Sequence, residues 1–206
     1  MGALRTVLTR RRLLVILICG ALFSVAVFFL DPSLRVGSFG LGLPASWTRL
    51  EVTNADLCIS HPDSWVGAET PQGNHGDLAV VGAIGVPGRR WPQILILRGP
   101  DEAALSGLVA WAGERAGAHT GYSPLESAAV PDSLWDGQVS EYTFSASELL
   151  GTTQVRCYDF SLIAPLGGYV LNMCAESADW QVVEPVFREV IDTMSLAESS
   201  GMGCGE

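Results

Sequence analysis

Lysine is absent from this chain of 206 residues, and every one of its 12 basic residues is arginine. A phosphate loop of the lysine-bearing kind is therefore excluded. Gly82, Gly85 and Gly88 also have no helix behind them whose N-terminus would hold an anion. Cysteine is sparse, five in all, which is too few for a disulfide scaffold. No C-x-x-C or C-x-x-C-H spacing pairs them for zinc, thioredoxin-like redox work or haem. Histidine is limited to His61, His75 and His119, and no G-x-S-x-G elbow accompanies them. His61 with Asp63, and His75 with Asp77, have neither the helical i, i+4 spacing nor the glycine-centred acidic loop of metal sites. The sequence thus assigns no catalytic residue, no cofactor and no metal ligand. Base is outnumbered by acid, 12 to 22, for a net charge of −10. A nucleic-acid partner is excluded on that balance.

What is present begins with an uneven distribution of charge. Residues 1–30 carry four arginines and no acid, so eight arginines face 22 acids in residues 31–206, a formal −14. The two parts meet different surroundings. Leu13–Leu30 reads LLVILICGALFSVAVFFL, 18 residues without a charge. At about 1.5 Å per residue such a helix spans roughly 27 Å, close to the hydrocarbon thickness of a bilayer. Arg5, Arg10, Arg11 and Arg12 precede it, so the positive-inside rule leaves the N-terminus in the cytoplasm and the rest of the chain outside. The apolar run is longer than that of a typical signal peptide, which favours a retained anchor over secretion after cleavage near Val36-Gly37-Ser38. Cys19 has Ile18 where a lipoprotein needs a small residue, and the arginines before Leu13 serve equally as a twin-arginine signal or an ordinary basic flank. The chain divides into a basic cytoplasmic N-terminus (1–12), a transmembrane signal anchor (13–30), a Gly/Pro/Ser-rich linker (31–47), one domain (48–198) and a flexible tail (199–206).

Within the domain, short apolar β-branched runs predict strands at 55–60, 78–86 and 93–98. Pro100, followed by Asp101 and Glu102, suits the start of a helix whose Leu105, Leu108, Val109, Ala112 and Ala116 form one apolar stripe. Runs at 137–146, 152–164 and 168–177, separated by turn residues, read as an antiparallel meander. Pro185 fits the first turn of a closing helix that carries Phe187, Val190, Ile191 and Met194. The predicted class is α+β, an antiparallel sheet covered by helices and preceded by one transmembrane helix.

Three segments carry a family resemblance: DLCISHPDSW, the meander from LWDGQVSEYTF to GGYVLNMCA, and a closing helix ending VIDTMSL. Together they resemble the PsbP/Mog1-like domains, including bacterial proteins of the LpqN and DcrB kind. The matching features are the Pro62-Asp63-Ser64-Trp65 turn after a strand, a strand opened by Gly137 and running to Tyr142, and a final helix ending near Ser195. The resemblance implies an α/β/α sandwich, usually non-enzymatic, that binds protein partners. No functional residue is carried over from it.

Two loops, 61–77 and 87–92, are the candidate partner-binding elements, with His61, Trp65, Arg89, Arg90 and Trp91 as candidate contacts. The second places two of the eight ectodomain arginines against an aromatic in an otherwise acidic domain, where they can meet an acidic partner or lipid headgroups. The expected function is that of a non-catalytic accessory domain outside the cytoplasmic membrane, bound to a membrane or cell-envelope protein. A module for a small apolar or lipid ligand, and a hydrolase with an unfamiliar site, are the rivals.

Register supplies one more expectation. If 164–167 form the loop of the last hairpin, residues whose numbers sum to 331 stand opposite one another. Leu162, Phe160 and Tyr158 then face Tyr169, Leu171 and Met173 on one face, and on the other Cys157 faces Cys174. Directly opposed strand residues lie within disulfide reach, and the compartment permits oxidation. Cys157–Cys174 is therefore the expected disulfide. A two-residue slip would admit Cys58 as a competitor, and Cys204 is expected to stay free in the tail.

Overall fold

A computed structural model describes residues 41–75, 78–100, 104–129, 137–148, 151–197 and Cys204. The expected membrane segment lies outside these residues. Among the described residues no helix is long and apolar enough to cross a membrane.

The chain order is β1 (Trp47–Val52), a 3-10 turn at Thr53–Ala55, β2 (Leu57–Pro62), β3 (Val66–His75), β4 (Leu78–Gly85) and β5 (Gln93–Arg98). Then follow α1 (Leu105–Gly117), β6 (Ser123–Ala129), β7 (Gly137–Glu148), β8 (Gly151–Ala164), β9 (Gly167–Glu176), α2 (Trp180–Thr193) and β10 (Ser195–Leu196). Seven strands form one antiparallel sheet in the order β3-β4-β5-β9-β8-β7-β6, and β1-β2-β10 form a second, smaller sheet. The predicted α+β class is what the chain adopts.

The alternation of side chains places two layers on the large sheet. One face carries Ile94, Ile96, Phe160, Leu162, Leu171 and Met173 and packs on Val183, Phe187 and Val190 of α2 and on Leu57 and Ile59 of β2. The opposite face carries Leu97 and Val170 beneath Leu108 and Ala112 of α1. Both faces of β9 and of the second half of β8 are thereby buried, which is why β9 is nearly continuous in apolar residues from Tyr169 to Ala175. Gly137 opens β7 where a Cβ would run into the ring of Phe160, so the side-chain-free residue there is a packing requirement.

The last hairpin has the predicted register: Leu162 opposes Tyr169, Phe160 opposes Leu171 and Cys157 opposes Cys174. Cys157 and Cys174 form a disulfide with their α-carbons 4.2 Å apart. The strands pair down to Ala164 and Gly167, so the loop is two residues shorter than the four expected, with register unchanged.

Several expectations are corrected. Cys204 is not free; it is bonded to Cys58, with the α-carbons 5.7 Å apart. The closing helix begins at Trp180, more than a turn earlier than expected, and Pro185 lies inside it. The bond that Pro185 cannot donate would have gone to the carbonyl of Gln181, on the exposed side of the helix where water can take it. The first helix begins at Leu105 with Ala104 as its N-cap, so Pro100 does not start it. Leu41, in the segment expected to be a linker, is fully buried in the main core. Most of the expected loop 61–77 is strand, since β2 ends at Pro62 and β3 starts at Val66.

A candidate binding face

Of the five candidate contact residues, three are buried. Trp65 is 2% exposed and meets Phe187 edge-on, with ring centroids 6.3 Å apart. The turn that delivers it is closed by its own amide on the carbonyl of Pro62 at 2.9 Å and by Thr48, whose hydroxyl donates to Asp63. Hydroxyls of Ser46 and Thr48 hold the Asp63 carboxyl below its ordinary range. His61 is buried beside Gly67, with Nδ1 3.0 Å from the carbonyl oxygen of Pro62. Trp91 is buried against Phe144, ring centroids 6.2 Å apart. These side chains pack within the domain and hold their segments in place.

Arg89 and Arg90 do face solvent. Arg90 is positioned: its guanidinium lies 5.3 Å from the centre of the Trp91 ring and donates to the carbonyl of Ser147 at 3.1 Å. An arginine stacked on an indole keeps its remaining donors directed outward with less conformational freedom to lose. Beside the two arginines the sheet is open. On the α1 face, α1 reaches β4 and β5 at Val80 and Leu97. Toward the Arg89–Arg90 end of those strands lies a shallow depression of about 320 Å³ floored by Val66, Ala68, Ala83, Gly85 and Leu95. Small residues make it shallow, and Val66 is 60% exposed. Ala83 and Leu95 lie in strands that were expected, whereas Val66 and Ala68 belong to a strand expected to be a loop, so the floor they form together was not foreseen.

Beneath α1 lies a polar cluster that sequence reasoning also missed. Asp159, 1% exposed, receives Arg115 Nη2 at 3.1 and 2.9 Å on its two oxygens. Asn172 donates to the same carboxylate at 2.6 Å, and the Tyr142 hydroxyl lies 3.3 Å away. Burial pushes the Asp159 carboxyl up; the Arg115 charge and the three donors oppose that rise. Burial, with the Asp159 charge, also pushes the Tyr142 hydroxyl up. The available signal was a carboxylate set among apolar residues in CYDFSLIA. With Cys157 and Cys174 joined, the cluster holds no free thiol, and it acts as a cross-link between sheet and helix. Among the described residues no group of histidine, cysteine and carboxylates could hold a metal ion.

His119, at the end of this layer, stacks on Phe144 with ring centroids 4.3 Å apart. Burial, then the nearby Arg115 charge, hold its imidazole below the ordinary value of 6.5, with Asp159 opposing. A depressed histidine favours the unfolded chain once protons become available, because the unfolded state then binds more of them. Stability should therefore fall as pH drops through about 6.5, by an increment that His119→Phe lacks. Parallel urea titrations of both proteins across that range check this; identical pH profiles would remove His119 as the cause.

A second depression, also about 320 Å³, lies beside α2 among Glu126, Glu141, Asp192, Tyr158 and Arg188. Two of its charges are engaged: Arg156 pairs with Glu141, and Arg188 pairs with Glu184 at 2.6 Å. The Tyr158 hydroxyl donates to Glu184 at 3.0 Å, and burial pushes it up to about 12.

No protein-family model matches the chain, and no curated protein does. Among solved structures, cyanobacterial PsbP (CyanoP) from Synechocystis sp. PCC 6803 is similar with a TM-score of 0.55 at 14% identity, over 76% of this chain and 95% of that one. LpqN of Mycobacterium tuberculosis, described as involved in cell envelope biogenesis, aligns at a TM-score of 0.45 and 14% identity, over 73% of this chain and 90% of its own. A Pseudomonas aeruginosa protein of unknown function aligns at 0.44 and 13%, over 72% and 96%. The order of strands and helices, together with the likeness to CyanoP, gives this chain the PsbP/Mog1-like fold.

Proposed function

We propose that the chain is a non-catalytic accessory domain of the cell envelope, tethered by residues 13–30 at the outer face of the cytoplasmic membrane, that binds a protein partner. The observation that carries this reading is the open sheet face of Val66, Ala68, Ala83 and Leu95 beside two solvent-facing arginines. Two disulfides support the extracytoplasmic side, since such bonds are rare where thiols are kept reduced. The small-ligand alternative is less well supported. The space between sheet and α2 is filled by side chains as buried as Phe160, Phe187 and Val190, all 0% exposed, and the depression beside α2 is lined by carboxylates and an arginine. A hydrolase would need a base and nucleophile converging in a cleft. His61 instead is packed against Gly67, and His119 is stacked on Phe144.

Cross-linking and affinity capture of the native membrane protein test the proposal. A stoichiometric envelope protein should be recovered; copurifying lipid with no protein partner would sink it. On topology, a reporter fused after Glu206 should be active only if it is of the kind that works outside the cytoplasm.

A further inference from the structure

We infer that the β3–β5 face takes an acidic segment of a partner protein, one that lays apolar side chains on Ala68, Ala83 and Leu95 and presents carboxylates to Arg89 and Arg90. This rests on the partner-binding reading above and names the chemistry of its partner. The argument is one of complementarity. The charged side chains lining the depression are both arginines, in a part of the chain where acids outnumber arginines 22 to eight. Arg90 is braced by the Trp91 ring and the Ser147 carbonyl, so its free N–H edge is set for a carboxylate before the partner arrives. Planar carboxylate recognition is what a braced guanidinium does better than a flexible ammonium. Arg89 also sits in the field of Glu176, whose carboxyl is raised by burial first and then by Asp179 and Glu148, with Arg89 opposing.

Other occupants fit less well. Residues 1–30 carry four arginines and no acid, so this chain's own N-terminal segment would bring like charge to Arg89 and Arg90. A second copy would bring another acidic domain of formal charge −14 against the first. An anionic bilayer would attract the two arginines only weakly while repelling the acidic remainder.

The test uses the full-length chain in phosphatidylcholine nanodiscs, panned against displayed random short peptides, with the selected peptides measured by fluorescence anisotropy. The expected winners carry aspartate or glutamate next to apolar residues and bind more weakly as salt rises. Arg89→Glu with Arg90→Glu should weaken them about tenfold or more, and Ala83→Glu, which leaves both arginines in place, should do the same. Intact disulfides and an unchanged melting temperature show that each variant is folded. Selection of neutral or basic peptides, failure to select any, or unchanged affinity in the double variant would overturn the inference. So would displacement of the peptides by phosphatidylglycerol in the discs, which assigns the arginines to lipid, or self-association that masks the face. A partner cross-linked elsewhere on the domain would end this inference and leave the proposed function standing.

Discussion

Asp159→Ala should destabilise the folded domain by about 3–5 kcal/mol, because it leaves a guanidinium buried without its counter-charge. Arg115 is 13% exposed at its side chain and donates to both carboxylate oxygens of Asp159. Among the described residues its Nε is already buried without a hydrogen-bond partner, and the Tyr142 hydroxyl, 3.5 Å from Nη2, is a neutral group that supplies no counter-charge. The loss spreads further, since Asn172 gives up its 2.6 Å acceptor and Tyr142 its carboxylate neighbour. Asp159→Asn keeps an acceptor of the same shape and should cost less. Arg115→Met combined with Asp159→Leu removes both charges, and that double variant should be more stable than Asp159→Ala alone. Urea denaturation of residues 41–206 measures all three; the segment must start at residue 41 because Leu41 is part of the core. If Asp159→Ala costs no more than a surface substitution, the cluster is not the cross-link between α1 and the sheet that its geometry describes.

The strands legible in the sequence were those with an apolar run buried on at least one face. The strands β4, β5, β7, β8 and β9 sit between two covering layers or close to them, and their apolar runs marked them to within two residues at either end. The strands that escaped notice are the edges: β3 and β6 flank the large sheet, and β1 and β10 flank the small one. Every residue of β6 is exposed, so SPLESAA has no apolar alternation to announce it. In β3 the register shifts between Glu69 and Gly73, across Pro71, which is tolerable at an edge and reads as a turn in sequence. The site was legible to the same degree. Arg89 and Arg90 stand out as basic residues in an acidic domain. The floor beside them depends on β3 and on where α1 stops, and neither is a local property of the chain. Trp65 and Trp91 misled for a related reason: an aromatic beside a turn looks exposed in sequence, yet these two seal the core edge against Phe187 and Phe144.

Opening the Cys58–Cys204 bond should cost up to about 5 kcal/mol by the chain-entropy estimate, more than the roughly 3 kcal/mol of a short hairpin loop. The difference is one of loop length, 146 residues of separation against 17 for Cys157–Cys174. The shorter bond lies inside the longer loop and trims it only slightly, and the cost varies with the logarithm of length, so the two contributions are nearly independent. The bond also anchors a joint that is otherwise thin. β10 pairs with β2 through Ser195–Cys58 and Leu196–Leu57, and one further amide, that of Ala197, reaches the Asp56 carbonyl at 2.9 Å. Cys204→Ser should therefore lower the melting temperature of residues 41–206 by roughly 10–20 °C at about 2–4 °C per kcal/mol. Ending the chain at residue 198, the boundary that sequence alone suggested, should cost the same, because both changes remove the same cross-link. Cys157→Ala with Cys174→Ala should lower it less. Peptide mapping of the non-reduced protein fixes the connectivity, and a free thiol at Cys204, or a chain ending at residue 198 that melts with the parent, would show that the tail adds nothing to the fold.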